Sequence, residues 1–186
     1  MDAIQHYLDL CREVPLVAKY GKGIPEDSFL FQLADLVLNH SQLVCFKNKF
    51  RITDAELYIS QEGHFDPFTF GAEGKKAGDI QSKAGHWFLH GPGMEFTFGE
   101  PTRFRAILIR GIIPVEGKGE VSDGPWDTKE QLLRLCNNDL AKNLKMEWTD
   151  FPAEEIQFSE RFNLTRKIDP RFASLPYRFY IKKYHA

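Results

Sequence analysis

From Phe50 to Ile59 the chain reads Phe-Arg-Ile-Thr-Asp-Ala-Glu-Leu-Tyr-Ile, and this run constrains the fold more than any other stretch. In a strand, side chains i and i+2 share a face, so Ala55, Leu57 and Ile59 point to an apolar side while Asp54, Glu56 and Tyr58 point to the other. Short β-rich runs recur at residues 43–46, 87–89, 95–98 and 104–113, separated by Gly, Pro, Asn and charged turns. That is the pattern of a sheet built from hairpins. Helical spacing is confined to residues 2–12, 26–38 and 128–144, the last with Asp127 as N-cap and Glu130 completing a capping box. Residues 178–183 read as a closing strand, and residues 60–83, rich in Gly and Lys and without periodicity, read as a long functional or mobile loop. The expected class is α+β: a single domain over residues 1–186, a curved antiparallel sheet with surrounding helices, residues 1–25 forming an N-terminal helical extension to a core at 26–183.

At 186 residues the chain can bury a sizeable core. The three cysteines, Cys11, Cys45 and Cys136, have no paired spacing, and no apolar leader follows Met1, so a reduced, cytoplasmic protein without a disulfide framework is expected. No run approaches the roughly 18 apolar residues of a membrane helix. A net charge of −2 argues against coating nucleic acid through bulk charge. The charge is uneven, however: residues 161–183 carry seven bases against Asp169, a balance of +6, and residues 116–160 carry eleven acids against five bases, a balance of −6. The basic segment suggests a side that faces anions.

Polar residues on the outer face of an antiparallel sheet are commonly only solvated, so Glu56 and Tyr58 by themselves carry no function. Ala55-Glu56-Leu57-Tyr58 is followed by Asp66-Pro67-Phe68-Thr69-Phe70, by Gly93-Met94 before a strand, and by Ile107-Leu108-Ile109-Arg110 ending at Pro114. Then come Gly124-Pro125 opening a helix, Arg161-Phe162-Asn163-Leu164, and Leu175-Pro176-Tyr177-Arg178-Phe179-Tyr180-Ile181. In this order, over residues 28–183, the chain resembles the alkyladenine (3-methyladenine) DNA glycosylases.

The resemblance implies a metal-free, cofactor-free monomer, with no obligate protein partner, that hydrolyses the N-glycosidic bond of a damaged purine in double-stranded DNA. Glu56 would be the general base, Arg110 and the Phe162 carbonyl would hold the attacking water, and Tyr58 and Phe70 would stack on the extruded base, with His64 as the alternative to Phe70. Trp87 would lie beside the pocket. The chemistry suits a carboxylate, which can deprotonate water and stabilise an oxocarbenium-like centre. The match departs from the family at three places: Pro92, with His90 the nearest large side chain, stands where a tyrosine fills the gap left by the flipped nucleotide; Gly99 stands where a pocket asparagine rejects guanine; and Asn163 replaces a glycine and would crowd the water site. Proline can still act as an apolar wedge. Two other readings stay open, a non-catalytic module that binds nucleic acid or a modified nucleotide, and a hydrolase of a small N-glycoside. His86 and His90 do not read as a chelating pair, because their segment is a strand and a turn.

Overall fold

The computed structural model describes residues 3–10, 24–70, 78–91, 93–164 and 167–185. Its elements are α1 (Ala3–Leu10), α2 (Phe29–Asn39), β1 (Ser41–Cys45), β2 (Asn48–Gln61), β3 (His64–Phe65), α3 (Gly78–Gln81), β4 (Trp87–His90), β5 (Gly93–Thr97), β6 (Phe104–Glu116) and β7 (Ser122–Asp123). They continue with α4 (Pro125–Leu135), α5 (Leu140–Asn143), β8 (Leu144–Trp148), β9 (Ile156–Ser159), α6 (Pro170–Ala173) and β10 (Arg178–Ile181). The expected α+β class is observed, as an antiparallel sheet curled into a half-barrel with a few helices against it. Its main path runs β4-β5-β6-β2-β1-β8, with β10 and β3 also pairing β2.

β2 is long enough, at 14 residues, to serve several partners. Its first half pairs β1, its second half pairs β10 and β3, and β6 follows its other edge. Register shifts flank Asp54, between Ile52 and Asp54 and again between Asp54 and Ala55. The slip lets Ile52 and the Ala55, Leu57, Ile59 set both face the core, and a bulge of this kind sharpens local twist. Opposite it, Gly111 leaves little space for a side chain, because a Cβ there would stand 2.8 Å from Thr53 Oγ1.

The apolar face carries Ala55, Leu57, Ile59, Phe96, Phe98, Ile107, Ile109 and Phe179, all essentially inaccessible, and α2 packs Leu30, Leu33 and Val37 into the same core. Ser28 caps α2 by accepting from Phe31 N–H. α1, expected as part of an extension, belongs to this core: Tyr7 is fully buried and its hydroxyl meets Ser41 Oγ at 2.8 Å. The third expected helix is corrected. It begins at Pro125 after Gly124, without a side-chain cap, and ends at Leu135 because Asn137 and Asn138 turn the backbone to φ 54° and 60°. Asp139 then caps the short α5, and Leu144 opens β8 instead of closing a helix. The cysteine expectation is also corrected. Cys45 and Cys136 stand sulfur to sulfur with Cα atoms 5.9 Å apart, a separation a disulfide spans, and their 91-residue separation left no spacing signal.

Candidate active site

The face opposite the core is not solvated. Asp54, Glu56, Glu95 and Thr97 are at most 1% exposed, so each charge there needs a partner. Arg178 binds Asp54 through Nε and Nη2, the latter at 2.8 Å from Oδ2, and Arg110 Nε reaches the same oxygen at 3.2 Å. Arg110 also extends Nη1 to Glu56 Oε1 at 3.0 Å. Phe162 N–H donates to that oxygen at 2.8 Å, and the Tyr58 hydroxyl donates to Glu56 Oε2 at 2.9 Å. Two carboxylates and two guanidiniums thus balance. The structure brings Glu56, Arg110, Phe162 and Tyr58 together; what sequence reasoning missed is Asp54, which holds Arg110 and Arg178 in place. The alternation rule already placed Asp54 beside Glu56, but nothing local named its two arginine partners.

Phe162 meets Glu56 through its N–H, while its ring is exposed and lies beneath Arg110, 5.2 Å from the guanidinium carbon to the centroid. Asn163 sits at φ 57°, a left-handed position that asparagine tolerates, and points outward; the expected crowding of the site is corrected. Arg161 is buried under the same face. It bridges Asp66 at 2.6 Å, donates to the carbonyls of Leu57 and Phe172, and lies 4.7 Å from the Tyr58 ring centroid. This clamp seals one side of Tyr58, whose phenol is pushed up from its usual value by burial first and by the Glu56 charge second.

Across β6 the register repeats the polar row. Leu108 faces Glu56 on one side and Glu95 on the other, and Glu95 in turn faces Phe88. Phe70 joins this end: its ring lies 5.1 Å from Phe88 and 4.7 Å from His90. His90 is not a wedge. Its ring turns inward, placing Nε2 3.1 Å from Glu95 Oε1; Gly93, paired with His90, makes room for Leu108, whose Cδ1 would stand 2.5 Å from a Cβ there. Pro92 lies outside the described residues. His64 is held by the Tyr177 hydroxyl at 3.0 Å and meets Phe172 edge-on.

Two expected base-binding positions are corrected. Trp87 lies on the apolar face, paired with Phe96, its Nε1 donating to Leu144 O at 2.9 Å. Gly99 fills no pocket: a Cβ there would be 1.9 Å from Gln81 O, so the residue is glycine because two backbones touch.

Outside the row, Trp126 on α4 is exposed, and Lys129 lies 4.2 Å from its ring centroid while donating to Gly91 O at 2.8 Å, which sets a large ring beside the β4–β5 turn. The basic segment is largely paired within the fold. Five of its seven bases are ion-paired: Arg161 with Asp66, Arg171 with Asp169, Arg178 with Asp54, Lys182 with Glu155 and Lys183 with Glu154. Asp54, Asp123 and His185 bring ligand-type atoms within 4.8 Å of one another, but both Asp54 oxygens already accept from guanidinium groups. Among the described residues no helix is long and apolar enough to cross a membrane.

No family model matches the chain. It is similar to an uncharacterised protein, L759, of Acanthamoeba polyphaga mimivirus, 24% identical over 199 aligned positions that cover 84% of this chain and 88% of the viral one.

Proposed function

We propose that the protein is an N-glycosyl hydrolase of the alkyladenine DNA glycosylase type, with that family's fold, which removes a damaged purine from DNA with Glu56 as general base. The observation that carries the reading is the Glu56 carboxylate, buried yet held in one orientation by three donors: Arg110 Nη1 and Phe162 N–H on Oε1, and Tyr58 O–H on Oε2. A carboxylate offers about four lone-pair sites. One on Oε2 is left for a water, beside Tyr58, and a water activated there can attack a sugar carbon while the carboxylate stabilises positive charge on the ring. Tyr58, Leu108 and Arg110 are buried but less completely than Asp54 and Glu56, and the Phe162 ring beside Arg110 is exposed, so substrate would enter past that ring. Trp126 suits the wedge that fills the place of an extruded nucleotide. Single-turnover base release from duplexes carrying hypoxanthine, 1,N6-ethenoadenine or 3-methyladenine tests the reading. Release is expected from wild type and not from Glu56→Gln; equal release by both removes Glu56 from the mechanism.

The paired state of the basic segment favours a second reading, hydrolysis of a small N-glycoside, for which few phosphate contacts are needed. Free nucleosides cleaved as fast as the duplex would select it.

A further inference from the structure

The two aromatic rings beside Glu56 each have a guanidinium against one face. Tyr58, whose hydroxyl lies 2.9 Å from Glu56 Oε2, has the Arg161 guanidinium carbon 4.7 Å from its ring centroid. Phe162, whose N–H lies 2.8 Å from Glu56 Oε1, has that of Arg110 5.2 Å from its centroid, and the residue is 56% exposed. Both separations fall within the roughly 6 Å over which a cation draws on the negative face of a ring. Arg110 also touches the carboxylate itself, with Nη1 3.0 Å from Oε1. The acids on this side are already engaged: Asp54 by Arg110 and Arg178, Glu56 by Arg110, and Asp66 by Arg161. Glu95, the next buried acid of the row, is turned onto Gln81 and His90.

The result is a stacking surface with positive charge behind it. A cation brought to the free face of the Phe162 ring meets π density already drawn toward Arg110, and the two charges repel across a medium that holds little water. An uncharged purine meets no such opposition, because its stacking rests on contact area and dispersion. Departure of the base keeps the same order. A purine that is neutral in DNA takes the electron pair of the broken bond and becomes negative, which a guanidinium behind the ring stabilises, whereas a cationic purine only loses the charge that was repelled.

We propose that the guanidinium-backed rings of Tyr58 and Phe162 make the site selective for purines that are uncharged in DNA, deaminated or etheno-bridged, over purines made cationic by alkylation of a ring nitrogen. The inference rests on the N-glycosyl hydrolase reading above and names its substrate class. In the step, the water oxygen bonds to the anomeric carbon as its proton passes to Glu56. The carbon–nitrogen bond breaks, its electron pair goes to the base, and the base takes a proton from solvent while Glu56 returns its own.

The test compares two bases of one shape and different charge. Duplexes carry either 7-methylguanine, a cation, or 7-methyl-7-deazaguanine, its neutral isostere, each on a 2′-fluoro sugar that blocks cleavage, and affinity is read by anisotropy for the full chain and for Arg110→Met. The full chain is expected to bind the neutral isostere about tenfold more tightly, the size of one cation–π contact, and Arg110→Met to bring the two within about threefold. A variant whose only fault is a misplaced Glu56 would weaken both duplexes alike and keep their ratio. Should Arg110→Met lose its fold by circular dichroism, the comparison in the full chain decides alone. Equal affinities, or tighter binding of the cation, would overturn the selectivity. Release of hypoxanthine or 1,N6-ethenoadenine by wild type and not by Glu56→Gln, measured alongside, would then leave the hydrolase reading in place. No release by wild type, or release unaffected by Glu56→Gln, overturns that reading and the selectivity with it.

Discussion

At the scale of single residues, the site is a problem in buried charge. Glu56 is tolerated because its three donors replace the water it loses, and those donors also decide which lone pair is free. Glu56→Gln keeps the shape but puts an amide where a base must be, so base release should fall by at least about 10²-fold in a variant whose fold is confirmed by circular dichroism. Tyr58 offers an independent check on the same contact. Its phenol titrates higher in the folded protein than in the unfolded chain, through burial and then the Glu56 charge. The stability tied to its neutral form is therefore complete below about pH 10, where an unfolded tyrosine ionises, and is lost above it, by up to about 1.4 kcal/mol per pH unit. Tyr58→Phe, followed by urea unfolding between pH 8 and 11, is expected to flatten that alkaline loss. An unchanged slope would mean that Tyr58 is not held as described.

At the scale of elements, two pieces lie against the sheet and do different work. The segment from Arg161 to Tyr177 is anchored through Arg161, buried with Asp66 and bound to backbone carbonyls on β2 and α6. Removing one partner strands the other, so Arg161→Leu should lower stability by about 3–5 kcal/mol. The double variant with Asp66→Asn should lose less than the two single losses added together, read from denaturant midpoints. α4, by contrast, presents Trp126 at its first turn beside Gly91. If that ring acts as the wedge, Trp126→Ala slows release from duplex DNA by tenfold or more and leaves free-nucleoside hydrolysis within about twofold. Equal effects on the two substrates would remove Trp126 from any role in opening the duplex.

At the scale of the whole molecule, the charge balance decides how the protein can meet DNA. Residues 161–183 sum to +6 along the chain, but five of the seven bases are neutralised by acids brought in from elsewhere in the fold or the same turn. Seven free cations would give a slope of log affinity against log salt near −6, and internal pairing of five of them makes it shallower. The expected slope for duplex binding, measured by anisotropy between 50 and 200 mM salt, is the shallow one. A steep slope would show that phosphates displace the internal partners.

Read alone, the amino-acid sequence settled the α+β class and the two faces of β2, because strand geometry gives every second residue the same direction whatever the fold. It also placed Glu56 beside Tyr58, for the same reason, and Arg110 on a strand. Other features were set by partners far along the chain. Glu95 reads as one more acid between apolar residues until the register sets it across Leu108 from Glu56, and His90 reads as a turn residue until the fold sets its ring against Glu95. Trp87 and Gly99 went the other way, to the core and to a backbone contact. The third helix failed as a single element because Asn137 and Asn138 adopt left-handed turns that a hydrophobic stripe does not reveal. Alternation fixes the direction a side chain points, which is local; whether that direction ends in solvent or in a salt bridge depends on residues 54 to 124 positions away, and only the tertiary structure brings them together.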